Sequence, residues 1–218
     1  MTATAYRPVL ARLTTVLSVL LLVTLAAVVL SMAVGSVHYP PGQVAGYLWR
    51  WASGAGPPSG DPTDYEIIIG LRLPRTALGL LVGLSLGTAG ALLQGVLRNP
   101  LAEPYIIGVS AGAALGAVAV IVFGWEYLLG GLTVPAGAFI SAVMTLGAVY
   151  AMARREGRMR PESFLLAGAA LGAFSWAGMT IALAMKGEDA QRIIFWMLGS
   201  LSLRDEGLKP LAWLVLLL

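Results

Sequence analysis

Residues 72–116 read RLPRTALGLLVGLSLGTAGALLQGVLRNPLAEPYIIGVSAGAALG, and this stretch decides how the rest of the chain is understood. A polar start, Arg72-Leu73-Pro74-Arg75, leads into an apolar run carrying Gly79, Gly83, Gly87, Ala91 and Gly95, a small residue at every fourth position. That spacing lies on one face of a helix and lets another backbone approach closely, which is how helices associate where lipid offers no hydrophobic drive. Asn99-Pro100 and Glu103-Pro104 then break the helix, because each proline turns the residue before it away from helical backbone. Beyond the break, Gly108, Gly112 and Gly116 repeat the spacing in a second apolar run.

Working outward, the composition agrees. Apolar residues make up 58% of the 218-residue chain and charged residues 11%, against roughly 25% charged in soluble domains. An all-α polytopic membrane protein follows. With no Cys, disulfides, thiolate metal sites and cysteine nucleophiles are excluded, and the single His38 cannot build a His-rich zinc cluster. The formal charge of +3 forms no basic face of the kind nucleic acid requires. There is no HExxH helix and no G-x-x-x-x-G-K-[ST] phosphate loop. Ser110 sits in GVSAG, which lacks the spacing of a nucleophile elbow and a usable His. No ionisable residue falls mid-span, where a proton relay would need one.

Hydropathy and breaks predict one transmembrane domain over 1–218, with spans at about 13–34, 77–97, 105–123, 132–152, 163–185 and 211–218. The first run is longer than the ~7–15 apolar residues of a signal peptide. Residues 35–76 are expected as an outer loop holding a short interfacial helix near 43–51, with Tyr47, Trp49 and Trp51 at headgroup level. Residues 153–162 carry Arg154, Arg155, Arg158 and Arg160, so this loop and the N-terminus with Arg7 and Arg12 are expected in the cytoplasm. Residues 186–210 are expected as an outer loop with a short surface helix within 193–201. The last run holds only eight residues, against the ~20 a span needs, so the chain reads as a C-terminally truncated fragment.

The strings RLPR at 72–75, NPLAEP at 99–104 and GVS at 108–110 resemble, in order and spacing, the FecCD family of permease subunits of bacterial ABC importers for iron–siderophores, haem and cobalamin. The resemblance implies the type II importer permease fold, of which this chain would hold the first six of about ten helices. On the residues alone Arg72 and Arg75 read equally as snorkelling anchors. The resemblance implies that they dock glutamates of an extracytoplasmic binding protein, a role suited to the planar guanidinium fork. It makes Asn99, Pro100, Glu103 and Pro104 a cytoplasmic turn motif, and Arg160, Pro161, Glu162 and Ser163 the gate region. Pro-Glu stands there where some relatives carry small hydroxyl residues. The helix after the gate would line the translocation path, giving Gly168, Gly172, Ser175, Trp176 and Met179 as lining residues, although small residues at this spacing also read as plain helix packing. Gln94 reads either as a packing hydrogen bond or as a polar path residue.

The implied function is import of an iron chelate by alternating access, siderophore first and haem or cobalamin next, in the bacterial cytoplasmic (inner) membrane. The implied partners are a second permease subunit, two ATP-binding subunits and the binding protein, with membrane lipid around them and no nucleic acid. The chain is not expected to be an enzyme or to bind a cofactor or metal. ATP and Mg belong to the partner subunits. The alternatives are a non-catalytic membrane scaffold or an intramembrane lipid-handling enzyme. The scaffold leaves the RLPR and NPLAEP strings unexplained, and the enzyme lacks a catalytic constellation.

Overall fold

The computed structural model describes residues 7–60, 62–129, 132–155, 158–185, 190–199 and 201. The expected span 211–218 and most of the loop 186–210 lie outside the described residues. The fold is all-α with one two-residue ladder, and it divides into two compact units, Met1–Leu78 and Gly79–Leu218. Among the described residues four helical stretches are long and apolar enough to cross a membrane: Val9–Ala33, Thr63–Leu97, Thr133–Ala153 and Pro161–Met185.

The first unit begins with α1 (Arg7–Ala33), apolar around its whole circumference, with side chains from Val9 to Leu30 largely exposed. A helix that is apolar on every side and packs on little protein is a bilayer helix. Its C-terminal end alone is buried, at Met32 and Ala33. Helix α2 (Pro41–Ala52) is amphipathic: Val44 is buried while Trp49 and Trp51 are exposed. Pro41 occupies its first position, where a missing N–H costs nothing. A third helix starts at α3 (Thr63–Tyr65), passes through a π-helical segment, Glu66–Arg72, and continues as α4 (Leu73–Leu97). Met32, Ala33, Tyr39, Val44, Tyr65, Ile68 and Ile69 form the core of this unit.

The helix starts earlier than the sequence predicts. The sequence predicts a loop over 35–76 up to the span at 77, yet helix begins at Thr63 and the whole Arg72–Arg75 motif is helical. Asp64 and Glu66 look like loop residues in the sequence, but acidic groups in a first turn complement the helix dipole. The widened turn has its own cause. Pro74 brings no N–H, and in a regular helix its ring would strike the carbonyl of Gly70. The π segment re-routes the bonding, with the Leu73 N–H donating to Ile68 O.

The second unit packs α5 (Val109–Val122), α6 (Thr133–Ala153) and α7 (Pro161–Met185) against one another, with the short α8 (Ala190–Met197) beside them. A single 3₁₀ turn, Pro104–Ile107, precedes α5, so the expected span at 105–123 is divided at Gly108, whose φ is 73°. The 14 residues of α5 rise only ~21 Å, short of a ~30 Å hydrocarbon core. Strands β1 (Arg154–Arg155) and β2 (Arg158–Met159) close the basic loop between α6 and α7 as an antiparallel ladder.

Glycine does the packing here. A Cβ on Gly168 would lie 2.8 Å from the Ile107 backbone, and one on Gly108 would strike the Gly168 carbonyl. Between α5 and α6, the Ser141 hydroxyl donates to Gly112 O at 2.7 Å, and Gly116 faces Gly137 across the same crossing. On α4 the expected stripe is different: beside Gly83, Gly87 and Gly95 no described atom lies within 4 Å of where a Cβ would be. Gly108→Ala therefore combines a disallowed φ with a backbone clash and is expected to cost about 1–3 kcal/mol. Gly147→Ala, where nothing lies within 4 Å, should be neutral or gain up to ~1 kcal/mol of helix propensity. Thermal unfolding of the two variants in detergent checks the contrast.

Candidate functional site

Arg72 and Arg75, paired in the sequence reading, have different surroundings. The Arg72 guanidinium turns inward: Nη1 donates to Met32 O at 2.8 Å, Nη2 donates to Val37 O, and the group lies 5.0 Å from the centroid of the Tyr39 ring. The Tyr39 hydroxyl in turn donates to Asp64 Oδ1 at 2.8 Å. Gln43 Nε2 reaches the Tyr47 hydroxyl at 3.1 Å and Asp64 Oδ2 at 3.4 Å. Arg75 is exposed, on the wall of a recess of about 500 Å3 that also holds Ser31, Ser36, Thr76 and an edge of Arg72. Ser31 and Thr76 share a hydroxyl–hydroxyl bond of 2.9 Å. Tyr39, Gln43 and Asp64 were not identified from sequence. They lie between 8 and 33 positions from Arg72 in the chain, and only the fold brings them together.

The turn motif is built from its own backbone. Arg98 takes a left-handed φ of 49°, and the Asn99 N–H reaches back to Gln94 O at 3.2 Å. The Asn99 side chain accepts from the Leu101 N–H at 2.9 Å, the small loop that Asn favours. The Gln94 amide donates to Pro100 O at 3.1 Å, holding the turn it precedes. Pro104 opens the 3₁₀ turn behind an extended Glu103, and the Glu103 side chain is exposed.

The segment expected as the gate, Arg160–Ser163, meets this turn. Arg160 and Glu162 are exposed, Pro161 and Ser163 half-buried, and Pro161 starts α7 with Glu162 in its first turn. One residue on, Phe164 joins Ala167, Val149 and Ala153 in a buried cluster that also contains Leu97, Ala102 and Ile107. The turn and the start of α7 therefore share one apolar core.

Of the five lining candidates, Gly168, Gly172, Ser175 and Met179 are buried on the packed face of α7, where Gly168 and Gly172 receive the Ile107–Gly108 backbone. Trp176, at the edge of that face, is 47% exposed. It lines a cavity of about 850 Å3 with Tyr105, Ser110, Phe195, Glu126 and Arg192. Glu126 and Arg192 form an ion pair at this cavity. The sequence signal for that pair was faint: one charge at the end of each of two apolar runs. Among the described residues no cluster of His, Asp or Glu could hold a metal ion.

The family model of the FecCD transport family matches residues 21–218. The chain belongs to the FecCD transport family. Within reach of that family, it is 39% identical over 217 residues to the Fe(3+)-citrate import system permease protein YfmE of Bacillus subtilis (strain 168), covering 97% of this chain and 59% of the relative. It is 37% identical over 188 residues to the vitamin B12 import system permease protein BtuC of Citrobacter koseri, covering 84% and 50% respectively. A solved ABC transporter of metal-chelate type, in an inward-facing conformation, superposes with a TM-score of 0.68 at 25% identity, over 89% of this chain and 56% of its own. The chain spans about half the length of the curated relatives it matches.

One electrostatic consequence of the Arg72 surroundings is measurable. The hydrogen bond to Asp64 raises the Tyr39 phenol above its ordinary 10.0, with burial and the Asp64 charge adding and Arg72 opposing. Because the folded value is the higher, Tyr39 contributes fully to stability below pH ~10 and loses that contribution as pH rises through the folded value. Ultraviolet titration should place the Tyr39 transition, read as the difference from Tyr39→Phe, above that of an exposed tyrosine. Asp64→Asn should move it back toward ~10.

Proposed function

We propose that this chain forms the membrane-spanning permease subunit of an ATP-driven, binding-protein-dependent importer of iron chelates, with ferric siderophore as the first substrate class and haem or cobalamin next. The observation that carries the reading is the family match over residues 21–218, which contains the motifs at 72–75, 99–104 and 108–110 in order. An iron-citrate permease among the similar proteins supports iron as the cargo. In this reading the chain works in the bacterial cytoplasmic membrane with its N-terminus inside and pairs with a second permease subunit. It crosses at 13–34, 77–97, 132–152 and 163–185, and at 105–123 by α5 together with the 3₁₀ turn that precedes it. Two ATP-binding subunits act from the cytoplasm and a binding protein delivers the chelate from outside.

The geometry supports a division of roles. The turn at Asn99–Pro104 and the gate at Arg160–Ser163 share a buried cluster, which suits two segments that must move together at the cytoplasmic face. The aromatic-lined cavity beside Trp176 suits a large chelate's apolar surface, and its Glu126–Arg192 pair offers polar contact at the wall.

Deleting the gene in its source bacterium and following uptake of radiolabelled ferric siderophore, haem iron and cobalamin tests the proposal. Siderophore uptake should fall to background and return with the gene. Unchanged uptake of all three would overturn it.

A further inference from the structure

We infer that the turn joining α5 to α6, residues 123–129, is a bilayer anchor. Its rings and leucines sit in the boundary between acyl chains and headgroups, and the Glu126–Arg192 pair is what lets the turn's one acid sit there with them. The inference stands on the spans alone and holds whichever cargo is carried.

The turn reads Phe-Gly-Trp-Glu-Tyr-Leu-Leu, six uncharged residues around a single acid. A turn facing water ordinarily draws on Asn, Asp, Ser and Pro as well as Gly. Here Phe123, Trp125, Leu128 and Leu129 are exposed, and Tyr127 is 84% exposed. The Phe123 and Trp125 rings stack with centroids 5.0 Å apart, so they present one apolar plate. A contiguous exposed apolar patch marks a partner surface, and Trp and Tyr are the residues enriched where a membrane meets water.

The turn's place along the span agrees. Helix α6 starts at Thr133 and has 21 residues, a rise of ~32 Å that is close to the ~30 Å of a hydrocarbon core. The turn is tied to that starting residue. The Leu129 N–H donates to Thr133 Oγ1 at 3.0 Å, and the Leu132 N–H donates to Leu129 O at 3.1 Å. With α6 across the bilayer, the turn lies at the edge of the hydrocarbon.

Its backbone is prepared for little water. The Phe123 N–H donates to Ala119 O, Gly124 N–H to Ile121 O, Trp125 N–H to Val120 O and Leu128 N–H to Trp125 O. Donors met internally are what a turn at membrane depth requires, whereas a hydrated turn can leave them to solvent. The charge is handled in the same way. The Glu126 side chain is 16% exposed and ion-paired with Arg192 on α8. Helix α8 is held in place by Ile193, fully buried in a cluster with Val118, Ile121 and Met179. A carboxylate is costly in a low-dielectric boundary unless it is paired, and the long arginine stem can bring a charge in from the water side. A surface kept for a soluble protein would stand in water until that protein arrived. The met donors and the covered acid favour lipid.

The chain has no Cys, so one introduced cysteine can be labelled selectively. Tyr127→Cys and Leu128→Cys each carry a nitroxide, in the complete importer with cysteine-free partner subunits, reconstituted in phosphatidylcholine vesicles. Relaxation of the label by dissolved oxygen, which concentrates in the bilayer, is compared with relaxation by a water-soluble nickel chelate. Both labels should favour oxygen, and adding the binding protein should leave that preference unchanged. Arg192→Gln, read from the label on Leu128→Cys, should shift the balance toward the nickel chelate, because an unpaired carboxylate draws the turn to water. Glu126→Gln combined with Arg192→Gln should restore the oxygen preference. Labels that favour the nickel chelate in the unaltered background would overturn the anchor. Labels that lose access to both agents once the binding protein is added would make the surface a protein contact and overturn it too. Arg192→Gln leaving the depth unchanged, or the double variant staying shifted, would overturn the role given to the pair.

Discussion

A carbonyl or amide left open at the end of an apolar helix costs free energy unless it finds a partner, and three breaks in this chain are arranged around that fact. At the end of α1 the groups are met by Val34, Tyr39 and a guanidinium from forty positions on. At the end of α4 a left-handed Arg98 brings the Asn99 N–H back onto Gln94 O. In the turn that follows, Asn99 accepts from the Leu101 N–H while the Gln94 amide donates to Pro100 O. In the middle of Thr63–Leu97 a proline removes a donor, and the backbone widens by one residue to keep the bonding continuous. These are three answers to one constraint. They explain why polar residues in so apolar a chain sit at its breaks.

The second organising effect is contact between backbones. Helices in lipid gain nothing from leaving it, so close approach has to supply the attraction through van der Waals contact and hydrogen bonds such as Ser141 to Gly112. The glycines that serve this purpose are at 108, 112, 116, 137 and 168, each with a neighbouring backbone or side chain where a Cβ would go. Spacing alone does not separate them from Gly83 or Gly87, which have open space in the same position.

That difference marks how far the sequence could be read. The apolar runs and their proline breaks were legible, because periodicity and loss of a donor are local properties of the chain. The family was legible from three short strings. The early start at Thr63 was not: Asp64 and Glu66 carry the same letters in a loop as in a first helical turn, and only the packing of Tyr65, Ile68 and Ile69 decides between them. For the site, the sequence named Arg72 and Arg75 without distinguishing them, since the carbonyls that claim Arg72 lie 35 and 40 positions away. It named Gly168, Gly172, Ser175, Trp176 and Met179 together as lining residues, and which side of α7 is buried depends on where Ile107 and Gly108 cross it.

The crossing of Ile107–Gly108 over Gly168 has a mechanical consequence. Where two helices meet through long side chains, rotamer changes absorb a small displacement of either one. Here main chain rests on main chain, and there is no side chain between them to take up play. A shift of the first half of α7 is passed to the 3₁₀ turn without backlash, so the two segments form one rigid lever within their unit.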